Sequence, residues 1–340
     1  MMKGISKGFL KPMTKMAVVA AIATTASLAQ AAELKLAHFM PSMHPMDQGV
    51  MSPLAEQLNE ATGGNLTIRI YPSGELGKGP VQQYKRVVTG VADIVFGIPE
   101  YTPKQFPKTA MVHIPGAFAN GEAATNALWD NIDLIQDEYA QTKLLGLWAN
   151  NPSVLITREK AVRSVADMKG MKIRTPNPVM AELVKAWGGI PVSMPTTDTY
   201  NAMNTGVIDA VMIGPSGIRS YKLNETAKYV TTNIPSALDS FYLLMNKSSW
   251  DGLSDEHKAA LEGLTGREIS LQGARSFYAA GKAGLDLAAE TGVELIEIDE
   301  TAYAEFRAQM KDALDAYVEQ IGKEKNIDAQ ALLTQLTSGN

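Results

Sequence analysis

The sequence predicts an α/β protein built as two lobes with a cleft between them. Three observations predict it. Short runs alternating apolar and polar residues, the period of a half-buried strand, take turns with runs that repeat every three to four residues, the period of a helix. The chain has 340 residues, and without the first 31 (340 − 31 = 309) it still exceeds the roughly 250–300 residues at which one core stops growing. Hydrophobic residues make up 45% of it, enough to fill two cores, and no tandem repeat or low-complexity stretch points to a solenoid or coiled coil.

The first element stands outside the fold. Lys3, Lys7, Lys11 and Lys15 lie in a stretch with no acidic residue, followed by a small apolar run over 17–26 and by Ala29-Gln30-Ala31. That order reads as a secretory signal peptide over 1–31, with the mature chain starting near Ala32. A membrane anchor needs about twenty consecutive apolar residues, and Thr24, Thr25, Ser27 and Gln30 interrupt this run. Residues 33–38 then alternate as a strand, and Pro41 and Pro45 lead into a helix over 46–61 that Gly63-Gly64 stops. Residues 66–71 alternate as a second strand, a Pro- and Gly-rich turn covers 72–80, a helix follows over 81–89, and 92–96 is a short buried strand. A second block repeats this order after 143–148, with strands at 154–157, 171–174, 191–193 and 210–213 and helices at 179–186 and 199–205. The repeated β-α-β order favours parallel sheets. One more strand at 241–245 precedes long helices from 254 to about 289 and over 301–322, where Ser254 followed by Asp255 and Glu256 suits a helix N-terminus.

Charge and residue types remove whole classes of function. The chain carries 31 Lys and Arg against 36 Asp and Glu, and loss of the four leader lysines takes the balance from −5 to 27 − 36 = −9. Such a surface does not displace counterions from nucleic acid or anionic lipid, so neither is an expected partner. With no cysteine, disulfides, thiolate nucleophiles and Cys-ligated metals are excluded. His38, His44, His113 and His257 form no metal-binding pair; His38 and His44 fall near a strand end and could line a cleft, although a lone histidine is more often satisfied core. The stretch 74–80 resembles a phosphate loop until Pro72 is found at its first glycine position and no Ser or Thr follows Lys78 to hold magnesium. No nucleophile elbow or paired-carboxylate signature is present. The expectation is a protein that is not an enzyme, with no cofactor and no metal.

The strongest local signal is Asp167-Met168-Lys169-Gly170-Met171-Lys172-Ile173-Arg174-Thr175-Pro176. A turn ends at Gly170, a short strand runs to Arg174, and Pro176 stops it, leaving an arginine at a strand's carboxyl end. In open α/β sheets ligands sit outside that end. A guanidinium offers two parallel donors that fit a carboxylate's two oxygens, a geometry lysine lacks.

This segment, with Pro191-Val192-x-Met194-Pro195 and Tyr200-Asn201-Ala202-Met203-Asn204-Thr205-Gly206-Val207-Ile208-Asp209-Ala210, resembles the substrate-binding proteins of tripartite ATP-independent periplasmic (TRAP) transporters of the DctP type. Leu36-Ala37-His38, Tyr71-Pro72-Ser73-Gly74-Glu75-Leu76-Gly77, Gly90-Val91-Ala92-Asp93-Ile94 and Ser249-Trp250-Asp251-x-Leu253-Ser254 extend the likeness over nearly the whole mature chain. The resemblance implies a two-lobed periplasmic binding protein fold, each lobe a mixed sheet flanked by helices, joined by strands and a long helix. Lobe I would span 32–150 with about 241–275, and lobe II 151–240 with about 276–340. It also implies a monomeric receptor in the periplasm that closes on a small organic anion and delivers it to TRAP permease subunits in the membrane.

By that resemblance Arg174 binds the ligand's carboxylate. The family's additional arginine is absent from 150–156, which opens with Asn150, and Ile213 stands at a position where the family often places a ligand-facing Asn. A second carboxylate would be costly to bury beside one arginine. The expected ligand is therefore a monocarboxylate, one that can carry an aromatic or apolar body, and a sulfonate, a C4-dicarboxylate or a role in presenting ligand to a sensor are the alternatives. The candidate site comprises Arg174, Asn150, Glu75 and His38 with Ile213. Phe96, Trp148, Met194, Tyr200, Met212 and Phe241, and also Tyr101, fall near strand ends or in motif loops where they could pack on the ligand's body.

Overall fold

The computed structural model describes Met1 and residues 32–338, and the expected leader at 2–31 lies outside the described residues. Residues Ala31–Asn340 cluster as one unit that holds two sheets. The first sheet has the order β2-β1-β3-β10-β4, formed by Ala32–Ala37 (β1), Leu66–Tyr71 (β2), Ile94–Gly97 (β3), Thr142–Ala149 (β4) and Ser240–Asn246 (β10). The second has the order β11-β9-β5-β8-β6-β7, formed by Val154–Thr157 (β5), Lys172–Thr175 (β6), Ile190–Ser193 (β7), Ala210–Ile213 (β8), Tyr229–Thr231 (β9) and Glu294–Ile296 (β11).

The expectation of parallel sheets holds only in part, and the reason is topological. β1 runs parallel to β2 and β3, and β6 parallel to β7 and β8, but β10 is antiparallel to β3 and β4, and β5 to β8 and β9. The chain leaves the first sheet after β4 and enters the second at β5, and it returns from β9 to β10. A strand entering from the side where the other sheet lies starts at its neighbours' carboxyl ends, so it must run against them. Both sheets are mixed because each receives one crossing strand.

The helices follow local chemistry. Asn177 caps the Pro178–Ala186 helix by accepting from the Met180 N–H, with Pro178 in the first turn where its missing donor costs nothing. Ser254 caps the Asp255–Leu264 helix by accepting from the His257 N–H at 3.2 Å. The expected single helical stretch from 254 divides at Gly266, whose φ of 83° a side-chain-bearing residue rarely adopts, and resumes as Arg267–Glu290. The turn before β6 carries a capping box between Ser164 and Asp167. The Gly121–Asp130 and Ala329–Thr337 helices and strands β9 and β11 were not expected. Among the described residues no helix is long and apolar enough to cross a membrane.

The Arg267–Glu290 helix runs past both sheets. Gly273 packs against Trp148 of β4, and a Cβ there would come within 2.6 Å of the indole. Gly281 packs on Pro215, just beyond β8, where a Cβ would come within 2.9 Å.

Candidate functional site

A cavity of roughly 500 Å³, open space at its mouth included, lies at the carboxyl ends of the central strands and is lined from both sheets. Such a position is where open α/β folds bind ligands. Phe96 of β3, Phe241 of β10 and Phe39 beyond β1 form one wall, and Phe277 from the long helix closes it. Phe96 and Phe241 stack at 5.6 Å with ring planes 14° apart, and Phe241 lies 4.5 Å from Phe277. Met40, Ile98 and Ile213 add apolar surface. This wall suits an aromatic ring, because offset-stacked and tilted rings pack favourably on one another.

The opposite side is built around Arg174, which is only 2% exposed. Its place follows from register: Arg174 lies opposite Val211 on β8 and Val192 on β7, so the side chain emerges between the ends of both neighbours. Its Nη1 donates to the Met212 carbonyl at 3.0 Å and its Nε to the Met194 carbonyl at 3.1 Å. Those two bonds hold the guanidinium plane without neutralising it. Among the described residues no carboxylate lies within the 4 Å of an ion pair, so three of its five N–H groups remain for a ligand.

Hydroxyl donors surround it. The Tyr101 oxygen accepts from the Thr196 N–H at 3.0 Å, which leaves its own proton to donate, and burial raises its pKa so that the proton stays. Thr196 Oγ1 is buried without a partner among the described residues and lines the same cavity. Tyr221 lines it too, and burial raises its pKa. His44 Nδ1 accepts from the Met46 N–H at 3.2 Å, which puts the ring proton on Nε2. Burial, then the His38 charge, lowers the His44 pKa to about 3, so the ring in the cavity is a neutral donor.

One acid faces this group of donors. Asp239, at the entry to β10, lines the cavity and is 7% exposed. Asn177 donates to its Oδ1 at 3.2 Å and Asn150 to its Oδ2 at 3.4 Å, while the Asp239 N–H donates to Asn150 Oδ1 at 2.8 Å. Behind it His113 Nε2 sits 2.6 Å from Glu100 Oε1 and 2.9 Å from Ser240 Oγ. Burial, the largest single influence, lowers the His113 pKa, but the charge and hydrogen bond of Glu100 together with the Asp239 charge outweigh it and the net shift is upward.

Of the residues expected at the site, Arg174, Asn150, Phe96, Tyr101, Ile213 and Phe241 line the cavity. The others lie elsewhere. Trp148 is fully buried behind Phe96, 5.8 Å between ring centres, where it supports the wall. Met194 and Met212 serve through their carbonyls, the Met212 side chain being in the core. Tyr200 is half-buried and donates to Glu225 at 3.0 Å, Glu75 is exposed in its turn, and His38 is buried against Asp47 at 3.0 Å. Sequence reasoning missed Asp239, Thr196, Tyr221, Phe39 and Phe277. Thr196 had a signal in the Met194-Pro195 motif beside it; Asp239 and Phe277 had none, since only the chain's return to the first sheet and the long helix bring them here.

Residues 36–320 match the family model of the bacterial extracellular solute-binding proteins, family 7, DctP. A solute-binding protein of Roseobacter denitrificans is 27% identical over 318 residues, 91% of this chain and 94% of its own. A TRAP solute-binding protein from a marine metagenome, specific for aromatic acid ligands and solved with metahydroxyphenylacetate, superposes with a TM-score of 0.86 at 27% identity, covering 90% of this chain and 97% of its own. One from Rhodoferax ferrireducens, solved with copurified benzoate, gives the same TM-score of 0.86, 27% identity and coverage of 90% and 97%.

Proposed function

This chain belongs to family 7 of the bacterial extracellular solute-binding proteins, and on that premise we propose that its cavity takes an aromatic monocarboxylate, with the carboxylate on Arg174 and the ring among the phenylalanines. As a member it is a TRAP solute receptor and not an enzyme. The observation that carries the ligand class is one guanidinium with no carboxylate in ion-pair contact, facing a wall of Phe96, Phe241 and Phe277 across a single cavity. Relatives of similar fold hold benzoate and metahydroxyphenylacetate, which have that same division into an anionic end and a flat apolar body.

The energetics fit. Burying a carboxylate costs several kcal/mol of hydration unless it is paired and hydrogen-bonded. Arg174, Tyr101 and Thr196 supply the pair and the bonds, and the ring then adds the apolar burial that drives binding. We assign the two lobes to 32–150 with about 241–275 and to 151–240 with about 276–340, the ligand bridging them. The receptor would be exported by its 1–31 leader to the periplasm, close on the ligand there, and present the closed surface to the membrane permease.

Titration calorimetry on the mature protein tests this. Benzoate should bind, and Arg174→Ala should weaken it at least 100-fold, because removing one member of a buried charge pair costs about 3–5 kcal/mol. Arg174→Lys should recover only part, since an ammonium cannot reproduce the fork. Tighter binding of succinate or glucuronate than of benzoate would overturn the aromatic monocarboxylate reading.

A further inference from the structure

Asp239 is a buried acid in a cavity built for an anion, and binding a carboxylate there puts two negative charges beside one arginine. The groups facing it are known from every side. Asn150, after β4, and Asn177, after β6, each give it one amide N–H. Neither amide can be turned around. Asn177 Oδ1 already caps its helix through the Met180 N–H at 3.0 Å, and Asn150 Oδ1 already accepts the Asp239 N–H at 2.8 Å. Both Asp239 oxygens therefore meet neutral donors rather than cations: the amide bonds favour the carboxylate, but only by the strength of a neutral hydrogen bond, and among the described residues no cation lies within ion-pair distance. Farther off stand Glu100 and His113, which neutralise each other at 2.6 Å, then Arg174 and the Tyr101 hydroxyl. Apart from Arg174 and Asp239, the charges that face the site cancel.

Resting on the monocarboxylate reading, we propose that Asp239 is a specificity-determining residue: it takes up one proton from solvent whenever a carboxylate binds at Arg174, and it thereby excludes ligands with a second carboxylate. The ligand-free site is neutral with Arg174 positive and Asp239 ionised. An anionic ligand would leave a closed, low-dielectric cavity one charge short of balance, a cost that protonating Asp239 removes. The proton passes from buffer to a carboxylate oxygen as the ligand enters and returns when it leaves. No bond other than O–H is made or broken. Burial, then the Glu100 charge, already push the Asp239 pKa up to about 6 against the pull of Arg174 and His113, so little further shift is needed. A dicarboxylate would need a second proton, and the described lining offers no second cation to replace it.

The consequence is a measurable proton. In the free receptor Asp239 is mostly ionised above about pH 7, and in the complex it is protonated, so benzoate affinity should fall as pH rises, approaching tenfold per unit above about pH 6.5. Calorimetry of benzoate binding in bis-tris and in Tris, whose ionisation enthalpies differ, should show uptake of between about 0.5 and 1 proton per benzoate near pH 7.3 by the unmodified protein. Asp239→Asn should bind benzoate with no uptake and a flat pH profile, and should accept succinate better than the parent does. Benzoate binding without proton uptake by the unmodified protein would overturn the inference while leaving the function intact, and needs no variant. Equal uptake by Asp239→Asn would place the proton on Glu100 or His113 and overturn it as well. If no aromatic acid binds, the proposed function fails and this inference with it.

Discussion

At the scale of single residues, the site is a set of donors whose protonation burial has fixed. Tyr101 spends its oxygen on the Thr196 N–H and keeps its proton, so Tyr101→Phe should weaken benzoate about 10-fold or more, the value of one hydrogen bond to a charged group of about 1.5–3 kcal/mol. An unchanged Kd would remove it from the carboxylate's contacts. His44 gives a pH dependence of stability rather than of binding. Its folded pKa is lowered to about 3, below the unfolded value near 6.5, so the unfolded chain gains a proton that the folded one refuses as pH falls through that window. The fold should therefore lose about 2 kcal/mol from this residue between pH 7 and about pH 5. Urea unfolding of the parent and of His44→Gln at both values measures it, and equal losses in the two would refute it. Arg174 was legible because Pro176 ends its strand two residues on. Asp239 was not, because its partners Asn150 and Asn177 lie 89 and 62 residues away in sequence.

At the scale of elements, strands read best where both faces are buried. The expected 154–157 and 210–213 are the observed β5 and β8, all of whose residues are buried. The three-residue strands β9 and β11 pair with each other at one end of the second sheet, and too few residues alternate there for a period to show. The direction of β5 and β10 was illegible for another reason: periodicity records which face is apolar, never which way the chain runs. Glycines in the Arg267–Glu290 helix show packing overriding propensity. Alanine is favoured over glycine by about 1 kcal/mol in a helix interior, but at Gly273 its Cβ would meet the fully buried Trp148 ring at 2.6 Å. Overpacking of that kind costs about 1–3 kcal/mol, so Gly273→Ala should lower the melting temperature. It should also weaken benzoate, since Trp148 backs Phe96. A higher melting temperature would show that the indole has room to move.

At the scale of the whole molecule, ligand and fold are linked. Benzoate at about 100 times its Kd should stabilise the parent by about 2.7 kcal/mol and raise its melting temperature, while the same concentration leaves Arg174→Ala unmoved. A shift in that variant would place the binding elsewhere. The chain passes between the sheets after β4 and before β10, and the amide and the acid at those passages, Asn150 and Asp239, also line the cavity. The Arg267–Glu290 helix, roughly 36 Å long at 1.5 Å per residue, bears on the first sheet at Gly273 and on the second beyond β8 at Gly281. Phe277 sits midway between those two bearings and faces the cavity. The helix is thus a beam resting on two supports with a probe at mid-span. Phe277 therefore reaches the cavity from a helix that both sheets hold in place, and a substitution at either bearing would act on the wall of the cavity without touching what it binds.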